Sequence, residues 1–187
     1  VAGTVNSGTG KINNGSVFNS NPANNLSNAD PVFSGAAPFS VFFWVNFSAL
    51  GNQILMAHGT SGGLGQGWEI RTVSGPDNVL LRTFDGAGAQ SDLIYPTVLV
   101  TGTFFLVIVT FDDATHATIR VNNGADVSGV MVTPNNPAFS FRIGTDQVGV
   151  LGVGAVVDEV GVYSRILTSA EKDALWNAGA GKQYPFT

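Results

Sequence analysis

The chain has no cysteine among its 187 residues. Disulfides, thiolate zinc sites and cysteine nucleophiles are therefore excluded, and stability outside a cell would have to come from the core alone. Charge is scarce as well: Asp, Glu, Lys and Arg make up 11 % of the chain, under half of the roughly 25 % of an average soluble domain. Solvation falls instead to Asn, Ser, Thr and Gly, a surface that suits secreted or assembled proteins. Basic residues are the rarer sign, 8 against 13 acidic, for a net charge of −5. Nucleic acid and anionic lipid are not expected partners of such a chain. No apolar run approaches the roughly 18 residues of a membrane-spanning helix, so membrane insertion is not expected. No basic segment followed by an apolar one stands behind Val1, and the chain reads as processed or as cut from something longer.

What is present is apolar and patterned. Hydrophobic residues are 44 % of the sequence, enough to exclude a disordered chain and to bury one core, so residues 1–187 read as a single domain. Eight of the sixteen Asn lie in the first 28 residues, and residues 1–37 form an Asn- and Gly-rich leading segment of loops with one or two short strands. From Phe39 the pattern changes. Phe39, Val41, Phe43, Val45 and Phe47 alternate with Ser40, Phe42, Trp44 and Asn46, a period of two that only a strand turns into a face. Further strands are expected at 53–58, 68–73, 79–84, 103–111, 117–122, 139–143 and 155–163. Many short strands with turn residues between them describe an antiparallel sandwich or barrel. One helix follows, over 168–178: Thr168 with Glu171 forms a capping box, and Gly179 is placed to end it after Leu175 and Trp176.

The run Phe104 to Val109 is apolar on both faces. Either it is a central strand covered on both sides, or its second face, along Thr103 to Phe111, meets another subunit in a homo-oligomer or lattice.

Taken in order, Gly10-Lys11-Ile12-Asn13-Asn14, Phe39 to Val45, Gly67-Trp68-Glu69-Ile70, Thr110-Phe111-Asp112, Ile119 to Gly124, Phe141-Arg142-Ile143-Gly144 and the stretch Val157 to Thr168 resemble a laminin G-like, or concanavalin A-like, domain of bacterial and phage type. The resemblance covers nearly the whole chain. It implies an all-β fold, an antiparallel jelly-roll β-sandwich with one short C-terminal helix. It also implies a domain that is often non-catalytic and often attached to secreted enzymes, adhesins or virion proteins, hence a location outside the cell or on a virion surface. Such folds host sugar binding, protein binding and scaffolding alike, so the chemistry has to be argued from residues.

Glycan-cleaving relatives set acidic residues at alternate positions of one strand, so that two carboxylates share a face about 5 Å apart. Here Asp112 and Asp113, and Asp158 and Glu159, are neighbours that a strand points to opposite faces, while Glu69, Asp77, Asp85 and Asp92 are scattered. No catalytic residue is assigned, and an enzyme is disfavoured. Gly59-Thr60-Ser61-Gly62-Gly63 spells a nucleophile elbow but precedes a strand rather than a helix. His58 and His116 have no metal-ligand spacing, the Gly-Lys pairs at residues 10–11 and 181–182 lack the rest of a phosphate loop, and the sequons at Asn14, Asn25 and Asn46 are what chance gives in an Asn-rich chain.

A structural calcium ion is common in the family that the chain resembles. Asp158 matches the acidic position of the family's last-strand motif, and Asn19, Asn25 or Asp30 would complete its oxygen shell. Asn19 stands where the family usually has an acid, and Asp158 serves equally well as a plain hydrogen-bond acceptor. Sugar binding needs an aromatic platform and planar polar groups. Trp44 and Trp176 read as core and helix packing. Tyr95 is the expected exposed aromatic, with Asp92, Gln90, Asp85, Asn78 and Trp68 as its partners. Glycan recognition, weak or through many copies, is the first expectation; a phage capsid decoration or tail protein on the same fold is the second.

Overall fold

The computed structural model describes residues 4–28, 38–61, 65–113, 115–135 and 138–183. Two antiparallel sheets stack face to face. One has seven strands in the order β1 (Asn6–Thr9), β2 (Asn14–Asn19), β13 (Gly154–Tyr163), β4 (Phe39–Phe47), β9 (Phe104–Phe111), β10 (His116–Val121) and β11 (Val127–Val130). The other has six, in the order β3 (Leu26–Asn28), β12 (Phe141–Ile143), β5 (Gln53–Thr60), β6 (Gln66–Val73), β7 (Asn78–Asp85) and β8 (Gln90–Ile94). The architecture is the expected jelly-roll sandwich with one short helix.

Alternation decides which side chains meet between the sheets. Phe39, Val41, Phe43, Val45 and Phe47 of β4, with Phe105, Val107, Val109 and Phe111 of β9, face Trp68 and Ile70 of β6 and Val79 and Leu81 of β7 in one continuous core. Trp68 lies at the centre of its aromatic part, with ring centroids 5.8 Å from both Phe39 and Phe111 and 6.0 Å from Phe141.

The opposite face of the seven-stranded sheet carries a second apolar cluster. Phe42 and Trp44 of β4 and Leu106 and Ile108 of β9 pack with Leu167 and with Leu175 of helix α1 (Ser169–Trp176). Trp176 stacks on Trp44 at 5.5 Å, and Lys11 Nζ stands 4.8 Å from the centre of a Trp44 ring. Both apolar faces of β9 are thus covered within one chain, as the central-strand reading of Phe104 to Val109 has it, with no need of a neighbouring subunit or lattice along Thr103 to Phe111. The helix is fixed at its start by the expected capping box, Thr168 with Glu171. It ends at left-handed Asn177, earlier than the glycine predicted to stop it. Lys172 to Asp126 at 2.6 Å and Arg120 to Asp173 at 2.5 Å clamp it to the end of the sheet.

Candidate functional site

Three members of the expected sugar-binding set are not at the surface. Trp68 is 1 % exposed, Tyr95 6 % and Asn78 3 %. Trp68 faces inward because its strand alternates from the core residue Ile70. Tyr95 continues β8, donating from its backbone N–H to Val79 O. Its hydroxyl fills the space left at Gly124, where a Cβ would stand 2.0 Å away. Asn78 Nδ2 donates to the carbonyls of Tyr95 and Thr97 and so anchors the exit of β8. Asp85 accepts from the N–H groups of Ala87 and Ala89 to close the β7–β8 turn, and these bonds, that from Ala87 first, hold its carboxyl below the usual range. Of the six residues, Asp92 and Gln90 alternate with inward Leu93 and lie on the outer face of the six-stranded sheet.

The described members of the expected calcium shell do not come together either. Asp158 Oδ2 accepts from Ile12 N at 2.8 Å and Oδ1 from Glu159 N at 2.9 Å, fastening the β1–β2 turn to β13. The turn comes so close that a Cβ on Gly10 would lie 2.4 Å from Asp158 Oδ2. Asn19 pairs with Gly154, four residues along β13 from Asp158, a separation of about 13 Å in extended chain. Asn19 Oδ1 accepts from Asn21 N and Asn24 Nδ2 instead. Asn25 is buried, with Nδ2 donating to Pro22 O and Ala23 O, and Asp30 lies outside the described residues. Among the described residues no three His, Asp or Glu side chains gather for a metal. Asp158 acts as a hydrogen-bond acceptor, and the three described candidates, Asp158, Asn19 and Asn25, are not gathered around one point.

Strand register builds a different site on the outer face of the six-stranded sheet. One cross-strand row reads Ser27, Arg142, Ala57, Glu69, Arg82 and Asp92, from β3 to β8. Arg71, two residues past Glu69, opens the next row with Ile54, Leu80 and Ile94. These side chains point outward because their neighbours Trp68, Ile70, Leu81, Leu93 and Phe141 are in the core. Asp92 grips Arg82 with two bonds of 2.6 Å, and Arg71 Nη1 donates to Glu69 Oε1 at 2.9 Å. Side-chain exposure falls from 30 % at Asp92 through 22 % at Arg82 and 12 % at Arg71 to 2 % at Glu69. The face is most deeply covered along β6, where Glu69 is 1 % exposed.

Its covered part is not internally satisfied. Glu69 Oε2, Arg71 Nε and Arg142 Nε are buried without a hydrogen-bond partner. Such groups are few in native structures and call for a water or a ligand. Burial raises the Glu69 carboxyl above its ordinary value, against the attraction of Arg71, while the Asp92 bonds raise Arg82 further. Reading along the sequence finds Asp92 and misses Glu69, Arg71, Arg82 and Arg142. Their signal is a charge at the out-facing position between core residues, as in Trp68-Glu69-Ile70-Arg71 and Phe141-Arg142-Ile143; their alignment in one row needs the register.

Comparisons with known proteins agree with this architecture. In sequence, no curated protein matches the chain. In structure, it is similar to domain 4 of AbnA, a GH43 extracellular arabinanase from Geobacillus stearothermophilus, in complex with arabinotriose. The TM-score is 0.68 at 19 % identity, over 91 % of this chain and 80 % of that one. The binding domain of Paraclostridial Mosquitocidal Protein 1 matches with a TM-score of 0.72 at 17 % identity, over 96 % of this chain and 47 % of that one. The binding domain of botulinum neurotoxin DC in complex with SialylT gives 0.67 at 14 % identity, over 98 % and 46 %. The chain thus spans about half the length of the two toxin domains, and identities this low establish a shared fold. A family model matches residues 18–171, and by that match the chain belongs to the concanavalin A-like lectin/glucanases superfamily.

Proposed function

We propose that this chain is a non-catalytic carbohydrate-binding module that works outside the cell or on a particle surface, with the outer face of β12, β5, β6, β7 and β8 as its binding site. The observation that carries this reading is Glu69, 1 % exposed on an outward sheet face, with Oε2 unpartnered beside guanidinium donors that are themselves unsatisfied. A carboxylate and a guanidinium side by side suit a vicinal diol, one hydroxyl donating to the first and its neighbour accepting from the second. Ile94, in the Arg71 row and 49 % exposed, gives the apolar flank that a sugar ring needs. Two of the similar structures, the arabinanase domain and the neurotoxin binding domain, are complexes with arabinotriose and SialylT, which supports a saccharide as the ligand class.

Absence of catalysis is part of the proposal. Among the described residues Glu69 has no free second carboxylate beside it to act as base or nucleophile, since Asp92 is held by Arg82 and Asp146 by Ser61, Gly149 and Val150. A glycan array probed with the purified chain and with Glu69→Gln tests the reading. Saturable binding by the wild-type chain, lost in the variant and without release of reducing ends, is the expected result. No binding, together with a discrete large oligomer by sedimentation, would replace this reading by a virion or scaffold role.

A further inference from the structure

The connection from β12 to β13 does not take the short way. Its first residue, Gly144, donates to Leu55 O of β5, and its last, Val153, donates to Gly144 O, so the two ends lie side by side. Between them the chain doubles back along β5. Gln147 N reaches Gly59 O at 3.0 Å, and Asp146 Oδ2 accepts from Ser61 N at 2.9 Å and from Ser61 Oγ. Arg142, which points outward, donates from Nη1 to the carbonyls of Asp146 and Gln147. Residues 145–151 thus form a compact loop with close ends, laid on the outer side of the six-stranded sheet. The connection touches β5 two residues before Ala57 and two after it. Ala57, in one cross-strand row with Arg142 and Glu69, faces outward and is still only 1 % exposed.

Two sets of bonds hold this loop, and they differ in kind. Within it, Asp146 Oδ1 accepts from Gly149 N and Val150 N, and Thr145 Oγ1 donates to Leu151 O; these bonds travel with the loop. At the base, a Cβ on Gly144 would stand 2.6 Å from the Phe18 ring and one on Gly152 2.6 Å from Ser20 O, so the base is seated firmly. Among the described residues, the bonds to Gly59, Ser61 and Arg142 are what tie the tip to the sheet. Val148 and Val150 point to solvent, 60 % and 61 % exposed, and add little to closure. What closure covers is poorly satisfied: Glu69 Oε2, Arg142 Nε and Gln147 Oε1 are buried without a partner, a cost that an opened loop would not carry. Burial is the main cause of the raised Glu69 carboxyl, and the Asp146 charge adds to it.

We infer that residues 145–151 are a lid: the tip swings off β5 as one piece about Gly144 and Gly152, and a saccharide takes up the Glu69 oxygen and the Arg142 guanidinium that it uncovers. Opening exchanges a few tip bonds for bonds to water and gives the orphaned groups partners as well. A ligand shifts the balance further by satisfying groups that only the open form presents to it. The inference rests on the reading of the chain as a carbohydrate-binding module and adds how the ligand reaches its site.

The chain has no cysteine, so one introduced thiol reports on the lid without any ligand. Ala57→Cys puts it under the tip, and Ala117→Cys puts it between the sheets, at a position 0 % exposed that global unfolding alone uncovers. With dithionitrobenzoate in excess, the first should react at least about tenfold faster than the second. Ser61→Ala removes one latch bond and none within the loop. It should speed the first thiol by about tenfold more and leave the second unchanged. It should also tighten saturable binding on a glycan array by a similar factor, because apparent affinity follows the fraction of open molecules. Equal rates at the two thiols, or a rate at Ala57→Cys unmoved by Ser61→Ala, overturn the lid while the module reading stands on its own array result. Fast labelling with array binding unchanged or weakened in Ser61→Ala overturns the role of the lid in binding. An array blank for every chain overturns the module reading, and that role of the lid falls with it.

Discussion

The two outer faces of this sandwich are built on the same alternation and put to opposite uses. On the seven-stranded sheet the outward positions of β4 and β9 are Phe42, Trp44, Leu106 and Ile108, and helix α1 seals them. On the six-stranded sheet the outward positions of β6, β7 and β12 include Glu69, Arg71, Arg82 and Arg142 beside apolar Leu80, and the polar atoms remain partly unpaired. Covering an apolar face stabilises the fold at roughly 25 cal/mol per Å². Leaving a buried carboxylate half satisfied costs stability and keeps a hydrogen bond in reserve for a ligand. The difference separates the residues that hold the chain together from those that give it something to do.

Trp44→Ala should break the sealed face most severely. It removes the partner of Trp176 as well as a side chain 1 % exposed, and a loss of about 3–5 kcal/mol is expected in denaturant unfolding, with glycan binding retained in the molecules that stay folded. Arg82→Ala should do the reverse. Its pair with Asp92 is partly solvated, so stability falls by about 1 kcal/mol or less, while binding on the array disappears. An unfolding cost equal to that of Trp44→Ala would mean that the polar face is structural after all.

Glu69→Gln sharpens the contrast through pH. The Glu69 carboxyl titrates above its unfolded value of 4.5 because it is buried, so its charge opposes folding, and the penalty grows as pH rises from 4.5 through the raised folded value. The variant should melt at a higher temperature than the wild-type chain near neutral pH. That advantage should vanish below pH 4.5, where the carboxyl is neutral in both states. A variant that melts lower at pH 7 would show that the Arg71 contact outweighs the burial.

The smallest effect belongs to the helix that seals the other face. Glu171 is held down to about 2 by Arg165 first and then by the Thr168 backbone N–H. Its contribution is present above 4.5 and lost as pH falls through about 2. Amide exchange in residues 169–172 should accelerate over that acid range, with the β4 amides unaffected; an unchanged rate would show that the helix holds without its capping box.

Much of this arrangement is legible in the sequence. Strand β4 runs over the nine residues whose alternation announces it, and Thr168 with Glu171 sets the helix start. The edge strands are not legible: Asn6–Thr9, Gln90–Ile94 and Val127–Val130 are polar or short, and edge position replaces hydrophobic pattern with a hydrogen-bonding neighbour that composition does not reveal. The site is harder still. Tyr95 stands three residues after Asp92 and directly before Pro96, which reads as an exposed loop, yet one more backbone bond to β7 turns its ring inward. Arg142 and Glu69 are far apart in sequence and meet across Ala57 because a register shift in β5, between Ile54 and Met56, sets which residues share a face. Such a bulge follows from tertiary pairing and leaves no residue signature of its own.

Strand β13 lies between β2 and β4, with Val157 pairing to Ser16 on one side and to Val45 on the other. A ribosome makes those partners long before it makes β13. The leading hairpin and the strand that later flanks it therefore emerge with open edges, and the sheet closes in one late step of long loop closure. Nascent chains stalled before Gly154 present two unpaired edges at once. Those intermediates, rather than the finished sandwich, are the form of this protein most in need of a chaperone.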